Sequence, residues 1–358
     1  MEVEIYAFEM NFTAEKIDTI KLHFILCTER TGSSLLSLML NLNSKILSSS
    51  EEPFALYFHK KYKDKTFWSK EDISKYVEEF YILAEKNTAL YFSERHVFEE
   101  NLIRHIAILN WSRLVKLTYL HFIDIKDKSN IEVIVDKQIK YFFHLNTLIK
   151  IFPEARFIIL VRDVRDNIVS KKNRQLNWNQ HPLFLASLWK DTYQQLHVLK
   201  PSSYIVIRYE DNMANTQDYL KKICDWINVP FEQGMIETEG KYLELIEAKK
   251  DRLDPKFVEH LLKFHSGLSR PSSTDKIEQY KKNLSQKEIE FIESICKNEL
   301  THFGYKLTTK DNNTTPISGI YYKILAKAYR NWLLKCYLLI PLSIKLFIKR
   351  KRRKTVSV

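Results

Sequence analysis

Apolar residues from Lys21 to Thr28 form a short run bounded by polar positions, the pattern of a buried strand. The polar stretch Glu29-Arg30-Thr31-Gly32-Ser33-Ser34 follows, and helical spacing then runs from Leu35 to Asn43. From Pro53 to about Asp124 the pattern is helical, aromatic and charged, without a strand-like run. Ile131 to Val135 predicts a second strand, and Lys140 to Phe152 a helix that Pro153 ends. Arg156 to Val161 predicts a third strand leading into a helix from Asp166, and Tyr204 to Arg208 a fourth, with helix Thr216 to Ile227 behind it. Strands that alternate with helices imply an α/β fold whose parallel sheet is covered on both faces. No repeat is visible, and no Gly/Ser/Pro-rich linker divides the chain, so the expectation is one core domain with additions.

Composition adds to this picture in three places. Of 358 residues, 45% are hydrophobic and 28% charged, enough apolar material for one large core in a soluble protein. The net charge of +12 favours anionic partners: a nucleotide, nucleic acid, an acidic glycan or a membrane surface. Part of that excess is local, in the uninterrupted basic run Lys349 to Lys354. Cys27, Cys224, Cys296 and Cys336 are far apart and form no CxxC pair, which argues against a disulfide framework and against a metal site. A reduced, cytoplasmic protein without bound metal is expected. Met1 to Thr19 is acidic and has neither the basic start nor the apolar stretch of a signal peptide, so no leader or N-terminal anchor is expected.

Two strand-to-helix junctions carry candidate chemistry. Backbone N–H groups and a helix dipole converge at such junctions and favour anions. At the first, Gly32 lets the backbone approach a phosphate, Ser33 and Ser34 offer hydroxyls and Arg30 a charge. At the second, Arg162-Asp163-Val164-Arg165-Asp166 follows a strand, with Ser170 about two turns further on and Arg174 four residues beyond it on the same helix face. Alone, the first is as well explained by a helix N-cap and the second by a surface salt-bridge network. Together, each after a buried strand and in this order, they make the anion-binding reading much stronger than either does alone. The first junction is not a triphosphatase loop, because GxxxxGK[ST] would need Gly at Cys27 and Lys at Ser33.

These segments together resemble the sulfotransferase superfamily. Arg30-Thr31-Gly32-Ser33-Ser34-Leu35-Leu36 is similar to its 5′-phosphosulfate loop, with Thr31 in place of the usual Ser. Ile159 to Ser170 is similar to its 3′-phosphate motif, with Val164 where Pro is common, and the step from Arg162 to Ser170 matches. Asp136-Lys137, Phe152-Pro153-Glu154-Ala155-Arg156, Arg208-Tyr209-Glu210-Asp211, Arg270-Pro271-Ser272-Ser273, Ile277 to Leu284 and Phe303-Gly304-Tyr305 resemble further segments in the family's order. The likeness covers roughly residues 21–308 and is closer to the tyrosylprotein, carbohydrate and bacterial branches than to the cytosolic phenol and steroid branch. It implies a P-loop-like three-layer fold in residues 21–308, preceded by an extension, 1–20. A helical, acceptor-side insertion falls at 54–130, and a linker and amphipathic tail at 309–358.

The resemblance also implies roles. The donor would be 3′-phosphoadenylyl sulfate (PAPS), the product 3′,5′-adenosine bisphosphate, and no metal would be required. Arg30, Thr31, Gly32, Ser33 and Ser34 would hold the 5′-phosphosulfate, with Lys137 a second cation at the transferred group. Arg162, Ser170 and Arg174 would hold the 3′-phosphate, Tyr209 would contact adenine, and Ser272 or Ser273 would close the site. Glu51 and Glu52 stand about where related enzymes carry a glutamate base, and Glu51 fits better; the bland reading is two exposed acids capping the next segment. His96, His105 and His121 have no supporting local motif. The acceptor stays open between a sugar or glycan, a lipid-linked group, a peptide tyrosine and a small metabolite. A nucleotide phosphotransferase and a non-catalytic nucleotide- or nucleic-acid-binding protein are the competing classes.

Two segments keep two readings each. The aromatic residues of 54–124 either shape an acceptor pocket as a lid or pack between helices, and both can hold together. The stretch Ile320 to Ile348 is apolar, with Lys323, Lys327 and Arg330 on one side, but Lys335, Pro341 and Lys345 interrupt it too often for a spanning helix of roughly 20 residues. It is either an interfacial anchor for anionic membrane or a helix packed on the core.

Overall fold

The computed structural model describes residues 12–49, 53–84, 92–122, 129–139, 141–174, 179–247, 250, 253, 255–264, 268, 273–309, 317–334 and 340–356. Five strands form one parallel sheet: β1 (Lys21–Cys27), β2 (Ile46–Ser49), β3 (Val133–Gln138), β4 (Phe157–Val161) and β5 (Tyr204–Arg208), in the order β2-β3-β1-β4-β5. The helices that position the site or cover the sheet are α1 (Ser33–Asn41), α2 (Lys70–Leu83), α3 (Arg95–Arg104), α4 (Trp111–Leu120), α5 (Val164–Lys172), α6 (Pro182–Gln194), α7 (Tyr209–Ala214), α8 (Thr216–Ile227), α9 (Gln286–His302), α10 (Ile317–Leu334) and α11 (Leu342–Val356).

Alternation along the strands divides the core into two layers, because successive side chains point to opposite faces. Ile25, Cys27, Val135, Ile158 and Leu160 face one way and pack against Leu36, Met39 and Leu40 of α1 and Leu220, Ile223 and Ile227 of α8. Phe24, Leu26, Ile134, Phe157, Ile159 and Val161 face the other way, toward α4, α5 and α6. Both faces are therefore covered, as the unbroken apolar run of β4 and the Phe24–Cys27 run of β1 require. The chain runs from β1 to β2 and β3 on one side and to β4 and β5 on the other. In such sheets the switch of direction opens a crevice at the carboxyl ends of the strands, here between β1 and β4.

Four details differ from the sequence reading. The edge strand β2 was not expected: its Ser48 and Ser49 interrupt any apolar signal, and it is held instead by pairing with β3 and by Ser48 Oγ against Ser37 Oγ at 2.7 Å. β3 starts at Val133 and runs on to Gln138, through charged positions whose partners are described below. The helix expected over Lys140 to Phe152 is a 3₁₀ turn, Tyr141–His144, followed by a helix, Leu145–Ile151; Lys140 lies outside the described residues. The helix after β4 starts at Val164, not Asp166, because Asp163 caps it.

The aromatic segment is mostly packing. Phe58, Tyr62, Trp68, Tyr76, Phe80, Phe92 and Trp111 are buried in the same core cluster as one face of the sheet, whereas Phe67 is exposed. α10 packs along α6: Tyr322 stacks on His181 at 3.9 Å, Tyr329 meets Phe184 edge-on, and Arg330 pairs with Asp191. No helix among the described residues is long and apolar enough to cross a membrane. Cys27, Cys224 and Cys296 are buried and not in disulfides.

Candidate anion-binding cleft

A cleft of about 460 Å³ opens at the carboxyl ends of β1 and β4. Its floor is the turn after β1. Arg30 and Gly32 both adopt left-handed backbone, with φ of 66° and 82°. For Arg30 that conformation costs free energy and is kept only where the surroundings fix it. Thr31 is fully buried and donates its hydroxyl to the Thr28 carbonyl at 2.9 Å, which ties the turn together; its side chain does not reach the cleft. Gly32 is the N-cap of α1 and has no side chain to cap the first-turn N–H groups, which helix geometry leaves without intrahelical partners. Gly32, Ser33, Ser34 and Leu35 line the cleft beside those groups. A Cβ at Gly32 would lie 2.7 Å from Cδ2 of Tyr209, so the tyrosine ring closes on the one residue without a side chain.

The opposite wall comes from β4 and α5. Arg162, Asp166, Val169, Ser170, Asn173 and Arg174 line it. Arg162 is 5% exposed and reaches across the turn, donating to the carbonyls of Arg30 at 3.1 Å and Lys276 at 2.6 Å. Its guanidinium lies 4.5 Å from the centre of the Tyr209 ring, and its Nε has no hydrogen-bond partner among the described residues. Arg30 Nε donates to Ser170 Oγ at 3.1 Å, so the two junctions meet directly. Burial lowers the Arg30 pKa, and the nearby Arg174 and Arg162 lower it further. Three guanidinium groups held this close repel one another, and an anion among them relieves that repulsion. Arg174 follows the C-cap of α5 instead of lying on its helical face, yet it reaches the same cleft as Ser170.

The second junction is built differently from the expectation. Asp163 accepts from the Arg165 N–H and so occupies the N-terminus of α5. Asp166 accepts the N–H groups of Glu278 and Tyr280 at 2.7 and 2.8 Å. Glu210, whose pKa burial raises, accepts from the Asp163 N–H and from the Tyr305 hydroxyl. With acids already there, this helix start is not a dipole site for an added anion. The wall instead offers side chains.

Lys137, near the end of β3, is buried and reaches to 3.5 Å from Ser34 Oγ. Its neighbour Asp136 points to the other face of the strand and accepts from Ser49 Oγ, Tyr119 Oη and Gln138 Nε2. Burial raises the Asp136 pKa to about 7 against these donors. Glu51, Glu52 and Ser272 lie outside the described residues. Ser273 is exposed, accepts from the Asp275 N–H and does not line the cleft. His105 and His121 are engaged with Asn101 and Ser93, and His96 sits in the open beside Glu94; none of the three lines the cleft.

A third wall is made by Asp275, Lys276, Gln279 and Asn283; the sequence marks Ile277 to Leu284 as a family-like segment but assigns none of these four residues to the site. The signal that could have found them is the acid Asp166, which must be satisfied from somewhere, and is satisfied by this segment's backbone. No group of His, Cys, Asp and Glu among the described residues is arranged to hold a metal ion.

Comparison with known proteins gives a family and a fold. The model of the "Sulfotransferase family" matches residues 23–233. No curated protein sequence matches significantly. The sulfotransferase domain from the curacin biosynthetic pathway is similar with a TM-score of 0.51 and 20% identity, over 80% of this chain and 99% of that one. The sulfotransferase domain of the Synechococcus PCC 7002 olefin synthase gives a TM-score of 0.45 and 15% identity, over 90% and 97%. A sulfotransferase from Mycobacterium avium gives 0.42 and 14%, over 82% and 79%.

Proposed function

We propose that this chain, which belongs to the sulfotransferase family, takes the sulfuryl group of 3′-phosphoadenylyl sulfate and transfers it to a hydroxyl or amine of its acceptor. The observation that carries the choice of donor is the single cleft in which Arg162, Ser170 and Arg174 stand beside Arg30 and the uncapped start of α1. A nucleotide with anionic groups at both the 5′ and the 3′ position matches two adjacent anion sites of different construction. ATP, which carries all its charge on one side, matches them less well.

The transfer is an in-line displacement. The acceptor oxygen or nitrogen forms a bond to sulfur while the bond from sulfur to the 5′-phosphate oxygen breaks. The electron pair leaves with 3′,5′-adenosine bisphosphate, and the acceptor proton passes to a base. Charge grows on the departing phosphate, so fixed cations there contribute most in the transition state. Arg30, the first-turn N–H groups of α1 and Lys137 beside Ser34 are the groups this chain offers for that charge. Arg162, Ser170 and Arg174 fit the 3′-phosphate and fix the donor's position, which lowers the entropic part of the barrier. Tyr209, between Gly32 and Arg162, offers a ring face to the donor's base. Glu51 is the base we favour, ahead of Glu52; both follow closely after Ser49, whose hydroxyl is fixed on Asp136 next to Lys137.

The test is transfer of sulfur label from the donor into separate pools of glycans, lipids, peptides and small metabolites. Label entering one pool, with 3′,5′-adenosine bisphosphate formed in equal amount, is the expected result. A chain that binds ATP with magnesium in preference to the bisphosphate, and labels no pool, contradicts the proposal.

A further inference from the structure

Residues 317–358 contain eleven Lys and Arg and no Asp or Glu, so this stretch holds eleven of the chain's twelve net positive charges. The same stretch holds most of the exposed large apolar side chains among the described residues. On α10 these are Ile320, Tyr321, Ile324 and Trp332, the last two 65% and 60% exposed; on α11 they are Ile344, Phe347 and Ile348. Neither helix is loose. Tyr322, Ala326 and Tyr329 turn α10 inward against α6, and Leu346 is buried while Lys345 lies over the Tyr57 ring on α11.

α10 and the first two turns of α11 are thus apolar on two sides, one packed and one exposed. A helix that is apolar around most of its circumference is ordinarily covered. On α10 the helical period sets Ile320, Ile324 and Trp332 along one outward stripe, with the exposed Lys323 and Lys327 along its edge. Long cationic side chains at the rim of an apolar stripe suit the boundary between hydrocarbon and headgroups. On α11 the apolar side chains lead straight into Lys349–Lys354. The charge is one-sided, the apolar faces adjoin it, and neither helix can span. A surface that is anionic with an apolar layer beneath complements all three features; an acidic protein or a nucleic acid complements the charge alone.

We infer that the exposed faces of α10 and α11 dock on an anionic lipid bilayer, with Ile324, Trp332 and Phe347 entering the headgroup boundary and the basic run held at its surface. The full chain, sedimented with sucrose-loaded vesicles, tests this. Vesicles of phosphatidylcholine mixed with phosphatidylglycerol should bind at least about tenfold more strongly than phosphatidylcholine alone, and added salt should reduce that ratio. The pair Ile324→Asp and Phe347→Asp, and separately the pair Arg352→Glu and Arg353→Glu, should each lower binding about fivefold or more. Melting temperature and affinity for 3′,5′-adenosine bisphosphate should not change, since neither Ile324 nor Phe347 is among the residues that line the cleft. No vesicle binding by the wild type, equal binding to both vesicle types, or variants that bind like the wild type would each overturn the inference. Preferential binding of polyuridylate over vesicles would overturn it as well. If the apolar pair fails to fold, the salt dependence and the charge pair still decide.

Discussion

The two strand-to-helix turns that meet in the cleft look alike in sequence and are built on opposite principles. After β1 the backbone is bent into left-handed conformations at Arg30 and Gly32, and α1 begins with no side chain on its N-terminal N–H groups. After β4 the backbone is ordinary, and α5 begins under Asp163, with Asp166 and Glu210 close by. The first turn leaves its helix start without an acidic cap. The second uses its dipole internally and presents Arg162, Ser170 and Arg174. A strand followed by a polar turn is therefore not by itself an anion site; what decides is whether the chain supplies its own acid to the helix start.

That contrast can be broken at several points. Asp163→Ala should destabilise the fold by about 3–5 kcal/mol, because Arg165 is buried and, among the described residues, keeps only Glu293 as ion-pair partner. Donor affinity of the protein that remains folded should change little. Denaturant unfolding checks the first part, and a large loss of affinity without loss of stability would put Asp163 in the binding site instead. Arg30→Ala should lower single-turnover sulfuryl transfer about 10²-fold or more, with a smaller effect on binding. Wild-type turnover would remove the first turn from the reaction. Gly32→Ala should cost about 1–3 kcal/mol of stability through its positive φ and its contact with Tyr209, and should weaken nucleotide binding as the ring is pushed aside. Thermal melts with and without nucleotide measure both.

The smallest effect belongs to Asp136, on the strand that supplies Lys137. Burial lifts its pKa to about 7, above the ordinary 3.8, so folding favours the protonated carboxyl. Its stabilising contribution is complete below the ordinary value and is lost as pH rises through about 7. His23 and His144, lowered by burial to about 4, act in the opposite sense as pH falls below their usual 6.5. The difference between wild type and Asp136→Asn isolates the carboxyl: from about pH 5 to about pH 8 the variant should gain about 1–2 kcal/mol relative to wild type. A flat difference would mean that the hydrogen bonds from Ser49, Tyr119 and Gln138 keep Asp136 ionised throughout.

Much of this was legible before any coordinates. β1, β4 and β5 are mostly apolar runs, and the residues that line two walls of the cleft stand in short motifs directly after them. β2 was hidden because Ser48 and Ser49 contribute hydrogen bonds in place of apolar burial. β3 was shortened because Asp136, Lys137 and Gln138 read as the end of a strand, although buried partners carry them through it. The segment Ile277 to Leu284 is legible as family-like, but nothing local puts the stretch from Asp275 to Asn283 on the cleft, since its place depends on Asp166 accepting N–H groups from more than a hundred residues away. The four-residue step from Ser170 puts Arg174 on the α5 face, whereas it sits past the end of that helix and the turn brings it to the cleft.

The central claim is that two adjacent anion sites of unlike construction select a donor charged at both ends. Calorimetric titration with adenosine 3′,5′-bisphosphate and with adenosine 5′-monophosphate, on wild type and on Arg162→Ala, tests it directly. The bisphosphate should bind wild type at least about tenfold more tightly than the monophosphate, and Arg162→Ala should remove most of that gap while leaving monophosphate binding nearly unchanged. Equal affinities in the wild type, or a gap that survives the substitution, would contradict the account.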